Sequence, residues 1–533
     1  MARSTRQPET PGTAERQWSP RVNAAFLERL AARAAVSAGT KTIAVEAPFT
    51  GEVLGQVPHG TPADIVFACA AAREAQQEWA RRSFAARADV LLRYHDLVID
   101  NAAEILDIIQ LEAGKSRHHA FEEVLDAAIQ ARYYAHTAAA FLRPRRRQGA
   151  LPVLTKAWEH HHPRGVIGVI TPWNYPLTLA VSDAVAALMA GNGVVIKPDA
   201  MTPFSALWAA AMLEAAGLPR GLLQVVTGRG SELGETLADG ADYLMFTGST
   251  ATGRKVAAMA AAHLKDNSME LGGKNALLVL PDASLRRAVP GAVRGIISGS
   301  GQLCVSNERI YVHSSVYEVF VALLAEKLRA VRLGASLTFR EDMGSLIDAD
   351  HLAKVQGHVA DAVGKGATVL AGGKARPELG PYFFEPTLLA GVTNEMDMCR
   401  AETFGPVAAV YRCDSVLEMI ERANDSHYGL NASVWTRDTR LGRELAARLQ
   451  AGTVNINEAY AATWASAAPM GGFKESGLGR RHGRQGIIKF SEAQTIAVQR
   501  LLAIDTPAFL SHRQYASLMG AAAKLLKRAP FIK

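Results

Sequence analysis

The spacing of apolar residues changes along the chain near residue 150. From residue 61 to about 142, apolar residues recur every three or four positions with charges between them, which predicts amphipathic helices. Later, short runs rich in β-branched residues predict strands at 166–170, 194–196, 223–226 and 243–246. Helical segments at 177–190, 205–216 and 232–238 separate these strands. Short buried strands that alternate with helices predict an open, doubly wound parallel sheet, which is a nucleotide-binding fold.

A second α/β pattern begins after Leu271 and continues to about Asn457. It contains helical segments at 318–331 and 352–364 and extended segments at 310–312, 368–370 and 453–456. A separate extended run at 153–162 predicts a strand or hairpin arm. A chain of 533 residues is long enough for two packed domains. The fold class is therefore α/β, with a doubly wound parallel-sheet domain and a second α/β domain.

Composition excludes several classes of protein. With 49% hydrophobic and 20% charged residues, the chain is neither disordered nor fibrous. The net charge of +7 is spread along the chain, and the basic run at 143–147 is too short to predict nucleic-acid binding. The first twenty residues lack the apolar core of a secretory signal, and no apolar run approaches the ~20 residues of a membrane span. We expect a cytoplasmic enzyme.

Two glycine loops resemble nucleotide motifs without matching them. In the loop 227–234, the third glycine of G-x-G-x-x-G comes one residue late. The loop 248–255 has Walker A glycine spacing but carries Arg254 where the phosphate-binding lysine belongs. Since this loop follows a strand and begins a helix at Ser249, it suits a pyrophosphate. Taken alone, the loop is better explained as an ordinary serine-capped helix start.

Among four cysteines, Cys304 lies in an unusual segment. None of the four forms a C-x-x-C pair, which fits a reducing compartment, and Cys69, Cys399 and Cys413 look like packed residues. Cys304 follows S-G-S-G-Q-L, small residues that allow close approach of backbone and ligand. Two further segments accompany it: P-W-N-Y-P after the strand at 166–170, and E-L-G-G-K around a carboxylate in an apolar setting.

These segments identify a resemblance to the aldehyde dehydrogenase superfamily, over roughly residues 41–497. The motifs P-W-N-Y-P, F-T-G-S, E-L-G-G-K, G-Q-x-C, E-x-F-G-P and P-x-G-G-x-K-x-S-G occur in the family's order. Within the family, the chain most resembles an NADP-dependent succinate-semialdehyde dehydrogenase-like branch. It shares with that branch the segments 468–472 and 479–483, where many relatives have Glu in place of Arg481.

The resemblance implies a reaction and a domain plan. Cys304 would attack the aldehyde, Asn174 and the Cys304 backbone N–H would stabilise the oxyanion, and Glu270 would activate water to hydrolyse the thioester. A glutamate at position 270 favours hydrolysis over transfer to coenzyme A. The expected domains are a disordered tail (1–22), a cofactor-binding domain (23–148 and 166–271), a catalytic domain (272–469), an oligomerisation arm and C-terminal segment (149–165 and 470–502), and an amphipathic extension (503–533).

The cofactor implied by the resemblance is NADP or NAD. The residues expected to bind it are Trp173, Lys197, Ala200, Gly248, Ser249, Leu271, Glu402 and Phe404. NAD-preferring members usually have Glu where Ala200 stands. Its absence removes repulsion against a 2′-phosphate and Lys197 attracts one, although Asp199 restores some repulsion. We therefore predict that NADP is accepted and could be preferred.

The sequence determines the identity of the aldehyde less well than it determines the reaction, and succinate semialdehyde is the expected substrate. Well-understood enzymes for that substrate use arginines for its carboxylate, and Ser182 and Ser298 occupy those positions here. The substrate entrance is expected to be lined by Tyr175, Leu179, Leu303, Tyr460 and Trp464. This partly aromatic set suits a medium- or long-chain or aromatic aldehyde as the alternative, because an unpaired carboxylate is costly to desolvate.

The remaining features concern assembly. The resemblance implies a homodimer or homotetramer built through the arm. In the C-terminal extension, Leu518, Met519, Ala522 and Leu526 fall on one helical face, with lysines and Arg528 near the end. We expect this helix to dock on the enzyme or a neighbouring subunit, with weak membrane-surface association as the alternative.

The run His160–His162 is expected in an exposed strand, and no metal site is predicted.

Overall fold

The computed structural model describes residues 18–149, 155–499 and 505–528. An N-terminal helical layer comprises the helices Ala24–Ala31, Pro62–Arg81, Phe84–Asp100, Ala102–Ala113 and Arg117–Leu142. Thr61 and Asp64 form a capping box at the start of the second of these helices, which explains why it begins there. Ser19 and Val22, within the predicted tail, are buried, and the Ser19 hydroxyl donates to Asp107 at 2.8 Å. The packed chain therefore begins within the segment predicted as a tail.

The predicted doubly wound sheet is present and has six strands. In spatial order they are Gly477–Leu478, Asp266–Glu270, Tyr243–Thr247, Val166–Ile170, Gly193–Lys197 and Leu223–Val225. All neighbours are parallel except Gly477–Leu478, which runs antiparallel to Asp266–Glu270. The helices Pro176–Met189, Phe204–Ala215, Gly230–Gly240 and Thr250–Ala262 connect the strands. The sequence pattern missed the strand that ends in Glu270, because its residues, D-N-S-M-E, lack a β-rich apolar run.

The second α/β unit is a seven-stranded sheet. Its strands, in spatial order, are Thr368–Ala371, Thr387–Ala390, Val407–Cys413, Asn307–His313, Asn275–Val279, Asn431–Trp435 and Thr453–Ile456. Only the edge strand Thr368–Ala371 is antiparallel to its neighbour. The associated helices are Leu285–Ile297, Tyr317–Arg329, Ala349–Gly364, Asp397–Arg400, Val416–Asn424 and Thr439–Ala446. The predicted α/β fold class is confirmed.

A three-stranded antiparallel sheet lies apart from both units. Its strands, in spatial order, are Ser491–Gln499, Thr155–Pro163 and Arg145–Gln148. The predicted arm contributes the central strand, which includes His160–His162. After its first residue, every residue of Ser491–Gln499 is exposed. The domain boundaries drawn from the sequence stay a prediction.

Smaller elements complete the described chain. They are the antiparallel pairs Thr42–Ala47 with Glu52–Pro58 and Tyr428–Gly429 with Phe473–Lys474, the short turns Ser298–Gly301 and Ala461–Trp464, and the helices Gly483–Ile488 and His512–Leu526. The last helix begins with a capping box between Ser511 and Gln514, and none of its residues is buried. Its predicted apolar face is therefore covered only in part, with Met519, Ala522 and Leu526 half-buried and Leu518 exposed. No described helix is both long and apolar enough to span a membrane.

Candidate active site

Two cavities of about 700 and 690 Å³ meet between the two sheets. Both are lined by Asn174, Thr247, Glu270 and Cys304. The strands Val166–Ile170, Tyr243–Thr247 and Asp266–Glu270 end at this edge of the first sheet, since parallel strands share a carboxyl edge. Asn174, Glu270 and Cys304, the three residues predicted to carry the chemistry, are thus brought together although about a hundred and thirty residues separate the first from the last.

Cys304 follows a turn that only small residues can form. Gly299, Ser300 and Gly301 all have positive φ, and a Cβ on Gly301 would lie 2.2 Å from the Gly405 backbone. The Asn275 amide donates to the Cys304 carbonyl at 2.8 Å and thereby holds the Cys304 backbone in place. Burial raises the pKa of the Cys304 thiol to about 12, and the nearby carboxyls of Glu402 and Glu270 add to the effect. The resting side chain is therefore a thiol.

Glu270 is the last residue of its strand and is only 3% exposed. Neither of its carboxyl oxygens accepts a hydrogen bond from any residue that the structure describes. Burial raises its pKa from 4.5 to about 7, against the lowering effect of Arg481. A carboxyl that titrates near neutrality can exchange a proton at little cost, as a general base must.

Asn174 is held in one orientation by its neighbour across the cavity. Its Nδ2 donates to the Gln302 carbonyl at 2.9 Å. The amide nitrogen carries two hydrogens, so its second N–H remains available to a ligand. The Cys304 backbone N–H also donates to no other residue in the described chain. These two donors are the pair that the sequence predicted for the oxyanion.

Six of the eight predicted cofactor residues line the second cavity: Trp173, Gly248, Ser249, Leu271, Glu402 and Phe404. Lys197 and Ala200 do not. Lys197 ends the strand Gly193–Lys197, is buried, and has its Nζ 3.5 Å from where a Cβ on Gly230 would lie. Burial lowers the pKa of Lys197 although Asp199 opposes the change.

The residues of this cavity fit a dinucleotide. Ser249 caps the helix Thr250–Ala262, whose N-terminus attracts phosphate. A Cβ on Gly248 would lie 2.6 Å from the Phe246 ring, so the turn requires glycine. Trp173 and Phe404 meet edge to face with 5.5 Å between their ring centres, and provide an aromatic wall. A cradle of free backbone donors and flat apolar surface suits pyrophosphate and a planar ring.

Sequence reasoning missed the groups that hold Phe404. Phe404 has a φ of 59°, which is unfavourable for a bulky residue. Its N–H donates to the Glu308 carboxylate at 2.9 Å, and its carbonyl lies 2.6 Å from His351 Nε2. Burial acts to raise the pKa of Glu308, but its ion pair with Lys274 keeps that pKa low, so the carboxylate stays ionised. No motif in the sequence marked Glu308 or His351 for this role.

All five predicted substrate residues line the first cavity: Tyr175, Leu179, Leu303, Tyr460 and Trp464. Of the two serines at the arginine positions, Ser182 lines it, whereas Ser298 does not and instead hydrogen-bonds the Tyr460 hydroxyl at 2.5 Å. Four ionisable residues that were not predicted also line this cavity: Glu122, Asp126, Arg481 and His482. Glu122 and Asp126 are one turn apart on the helix Arg117–Leu142, where the pattern predicted a helix without showing which face meets the site.

Comparison with known proteins identifies similar chains over most of this length. The model of the "Aldehyde dehydrogenase family" matches residues 35–496. A Mycolicibacterium smegmatis protein named "Putative succinate-semialdehyde dehydrogenase", with NADP(+) in its name, is 50% identical over 487 residues, 91% of this chain and 94% of that protein.

Two solved structures are also similar. The NAD+ complex of an aldehyde dehydrogenase from Bacillus cereus is 36% identical, with a TM-score of 0.82, and the match covers 86% of this chain and 93% of that one. Succinate-semialdehyde dehydrogenase from Burkholderia pseudomallei is 36% identical, with a TM-score of 0.83, covering 86% and 95%.

Proposed function

The chain belongs to the aldehyde dehydrogenase family, an NAD(P)-dependent oxidoreductase family, and from this premise we propose that it oxidises its aldehyde to the free acid through a thioester on Cys304. The observation that carries the proposal is the meeting of the two cavities at Asn174, Glu270 and Cys304. One cavity suits a small organic molecule and the other a dinucleotide. The reacting carbon would lie where the two cavities join.

The proposed steps use these three residues in turn. The Cys304 thiol loses its proton to water, and the thiolate adds to the aldehyde carbon. The resulting oxyanion accepts hydrogen bonds from the Asn174 amide and the Cys304 backbone N–H. When bound, the oxidised nicotinamide supplies the acceptor for the hydride that leaves this carbon. Glu270 then takes a proton from water, whose oxygen attacks the remaining thioester, and the Cys304 thiolate leaves. The products are the carboxylic acid and the reduced cofactor.

The cofactor is NAD or NADP, and we propose that NADP is accepted. Ser249 and the helix it caps would hold the pyrophosphate, and Glu402 the nicotinamide ribose. Lys197 would supply a buried cation beside the adenosine ribose, and Ala200 has no carboxylate to repel a 2′-phosphate. Initial-rate measurements that give a kcat/KM with NADP about a hundredfold below that with NAD would contradict this proposal.

Succinate semialdehyde is the proposed substrate, supported by the name of the 50%-identical relative. An uncharged medium- or long-chain or aromatic aldehyde is the second candidate. It is favoured by the aromatic walls and by Glu122 and Asp126, whose carboxyl groups would face the carboxylate of succinate semialdehyde.

The test is NAD(P)H formation with a panel of aldehydes that runs from succinate semialdehyde to long-chain and aromatic compounds. Cys304→Ala should remove activity with every aldehyde. Cys399→Ala is the matched control, because that half-buried cysteine lines neither cavity, and it should behave as wild type. Full activity of Cys304→Ala would refute the thioester mechanism.

For assembly, we propose a homodimer or homotetramer formed through the three-stranded arm. Its edge strand Ser491–Gln499 exposes Ile496 and Val498 by 41% and 45%, and an exposed strand edge readily pairs with another chain. Light scattering on the wild type and on Ile496→Glu is the test. A wild-type monomer would contradict the proposal.

A further inference from the structure

The substrate cavity contains several carboxyl groups and few cations. Glu122, Asp126 and Glu270 line it, and Cys304 must also ionise during the proposed reaction. Burial lowers the pKa of His482 to about 4, so this histidine is neutral at working pH. Arg481 is therefore the sole permanent cation among the described residues that line this cavity.

Arg481 is fixed in place by backbone and side chain. Its N–H and carbonyl both hydrogen-bond to Met470, at 2.7 and 2.9 Å. Its side chain is 5% exposed, and its Nε lies 2.9 Å from the Asp183 carboxylate. Asp183 also binds Lys489, at 2.8 Å through its other oxygen. Two cations thus share one carboxylate, so Asp183 alone does not neutralise both.

One edge of the guanidinium is left without a partner. Arg481 Nη2 is buried and makes no hydrogen bond within the described chain. A buried donor without an acceptor carries an uncompensated desolvation cost. Although Nε is paired with Asp183, no anion is in direct contact with Nη2, and the charge on this side of the guanidinium can act on groups elsewhere in the cavity.

We propose that Arg481 is a positioning residue that supplies the positive potential under which Cys304 and Glu270 ionise. The inference rests on the proposed thioester mechanism and deepens it. Both groups must be anions at some step. Apart from Arg481, the ionisable groups near them in the cavity wall include the carboxyl groups of Glu122 and Asp126. Without Arg481, each ionisation would take place beside Glu122 and Asp126 with no compensating charge on the cavity wall.

The electrostatic balance around the two groups agrees with this assignment. Burial raises the pKa of both, and Arg481 is the largest opposing influence on Glu270 and also opposes the rise at Cys304. Glu402 and Glu270 act against ionisation of Cys304, whereas Lys489 and Arg480 assist that of Glu270. Asp183 opposes ionisation of Glu270. Neutralising Arg481 or Asp183 should therefore have opposite effects.

The experiment measures the rate at which iodoacetamide alkylates Cys304 as a function of pH. This readout follows the thiolate directly and does not require turnover. Arg481→Gln should move the profile to higher pH by about one unit, which is about a tenfold loss of rate at fixed pH. Arg481→Lys keeps the charge and should retain the wild-type profile. Asp183→Asn should move the profile to lower pH.

The control and the opposing outcomes are specific. Arg164→Gln removes another largely buried, ion-paired arginine that lines neither cavity, and should leave the profile unchanged. Wild-type profiles for both Arg481→Gln and Asp183→Asn, or shifts of the same sign, would overturn the inference. The inference would also be overturned if Arg481→Gln lost only the oxidation of succinate semialdehyde and kept wild-type butanal oxidation and alkylation. Arg481 would then bind the substrate carboxylate instead of assisting ionisation. Failure of the thioester mechanism itself would appear instead as an active Cys304→Ala enzyme.

Discussion

Replacing Glu270 by Gln should make the enzyme slower but more stable. The pKa of Glu270 is raised from 4.5 to about 7 by burial. In the folded enzyme the carboxyl therefore holds its proton more tightly than in the unfolded chain. The resulting penalty is absent below about pH 4.5, grows as pH rises toward 7, and is complete above pH 7.

The magnitude follows from the two pKa values. Their difference of about 2.5, at about 1.36 kcal/mol for each unit, corresponds to at most about 3 kcal/mol. Glutamine never ionises, so Glu270→Gln should unfold at a higher temperature than wild type at about pH 8, with a smaller difference at about pH 5.5. A variant no more stable than wild type at either pH would contradict the buried, unpartnered state of this carboxyl.

The same substitution separates the two halves of the reaction. Only about a tenth of Glu270 is ionised one pH unit below its pKa, so wild-type turnover limited by hydrolysis should rise about tenfold from pH 6 to pH 8. Glu270→Gln should lose this dependence and turn over about a hundredfold or more slowly. Stopped-flow mixing should still show a burst of NAD(P)H equal to the enzyme concentration. Glu395→Gln, an exposed control, should match wild type; turnover of Glu270→Gln at the wild-type rate would refute its role as base.

Three further predictions concern specificity and surfaces. Ala200→Glu should lower kcat/KM with NADP about tenfold more than with NAD, because a carboxylate returns near the 2′-phosphate; equal losses would contradict this. Asp126→Asn should raise kcat/KM for succinate semialdehyde relative to butanal, since it removes a negative charge from the cavity wall, and an unchanged ratio would show that this carboxylate does not face the substrate. If the C-terminal helix binds membrane surfaces, anionic liposomes should retain the full-length protein and lose one ending at residue 502; equal sedimentation would exclude this binding.

Local patterns predicted four of the six strands of the first sheet with small errors at their ends. The strand at 166–170 was placed at its observed bounds, because a short β-branched run followed by a proline turn allows few other structures. The strand Asp266–Glu270 was missed, because four of its five residues are polar. Pairing with Tyr243–Thr247 stabilises this strand, and such pairing with a separate segment cannot be inferred from the composition of the strand itself.

The sequence by itself determined which residues are proposed to carry the chemistry. Cys304, Glu270 and Asn174 lie in short motifs whose residue types follow from the reaction: a soft nucleophile, a carboxyl in an apolar setting and an amide donor. Ordered motifs of this kind are read without knowing how distant segments pack. The same is true of Ser249, since a serine before a helix predicts both a cap and an anion site.

Only the tertiary structure decided what surrounds those residues. Glu122 and Asp126 reach the substrate cavity because one face of the helix Arg117–Leu142 packs toward it, and Arg481 reaches it from a segment more than three hundred residues later. Helical periodicity shows that such a helix has faces but does not say which neighbour each face meets. Electrostatic interactions depend on the distance between charges and on their burial, and neither quantity can be inferred from the order of residues. The chemistry proposed at Cys304 could therefore be inferred from the sequence, whereas the charges that surround it could be found only from the fold.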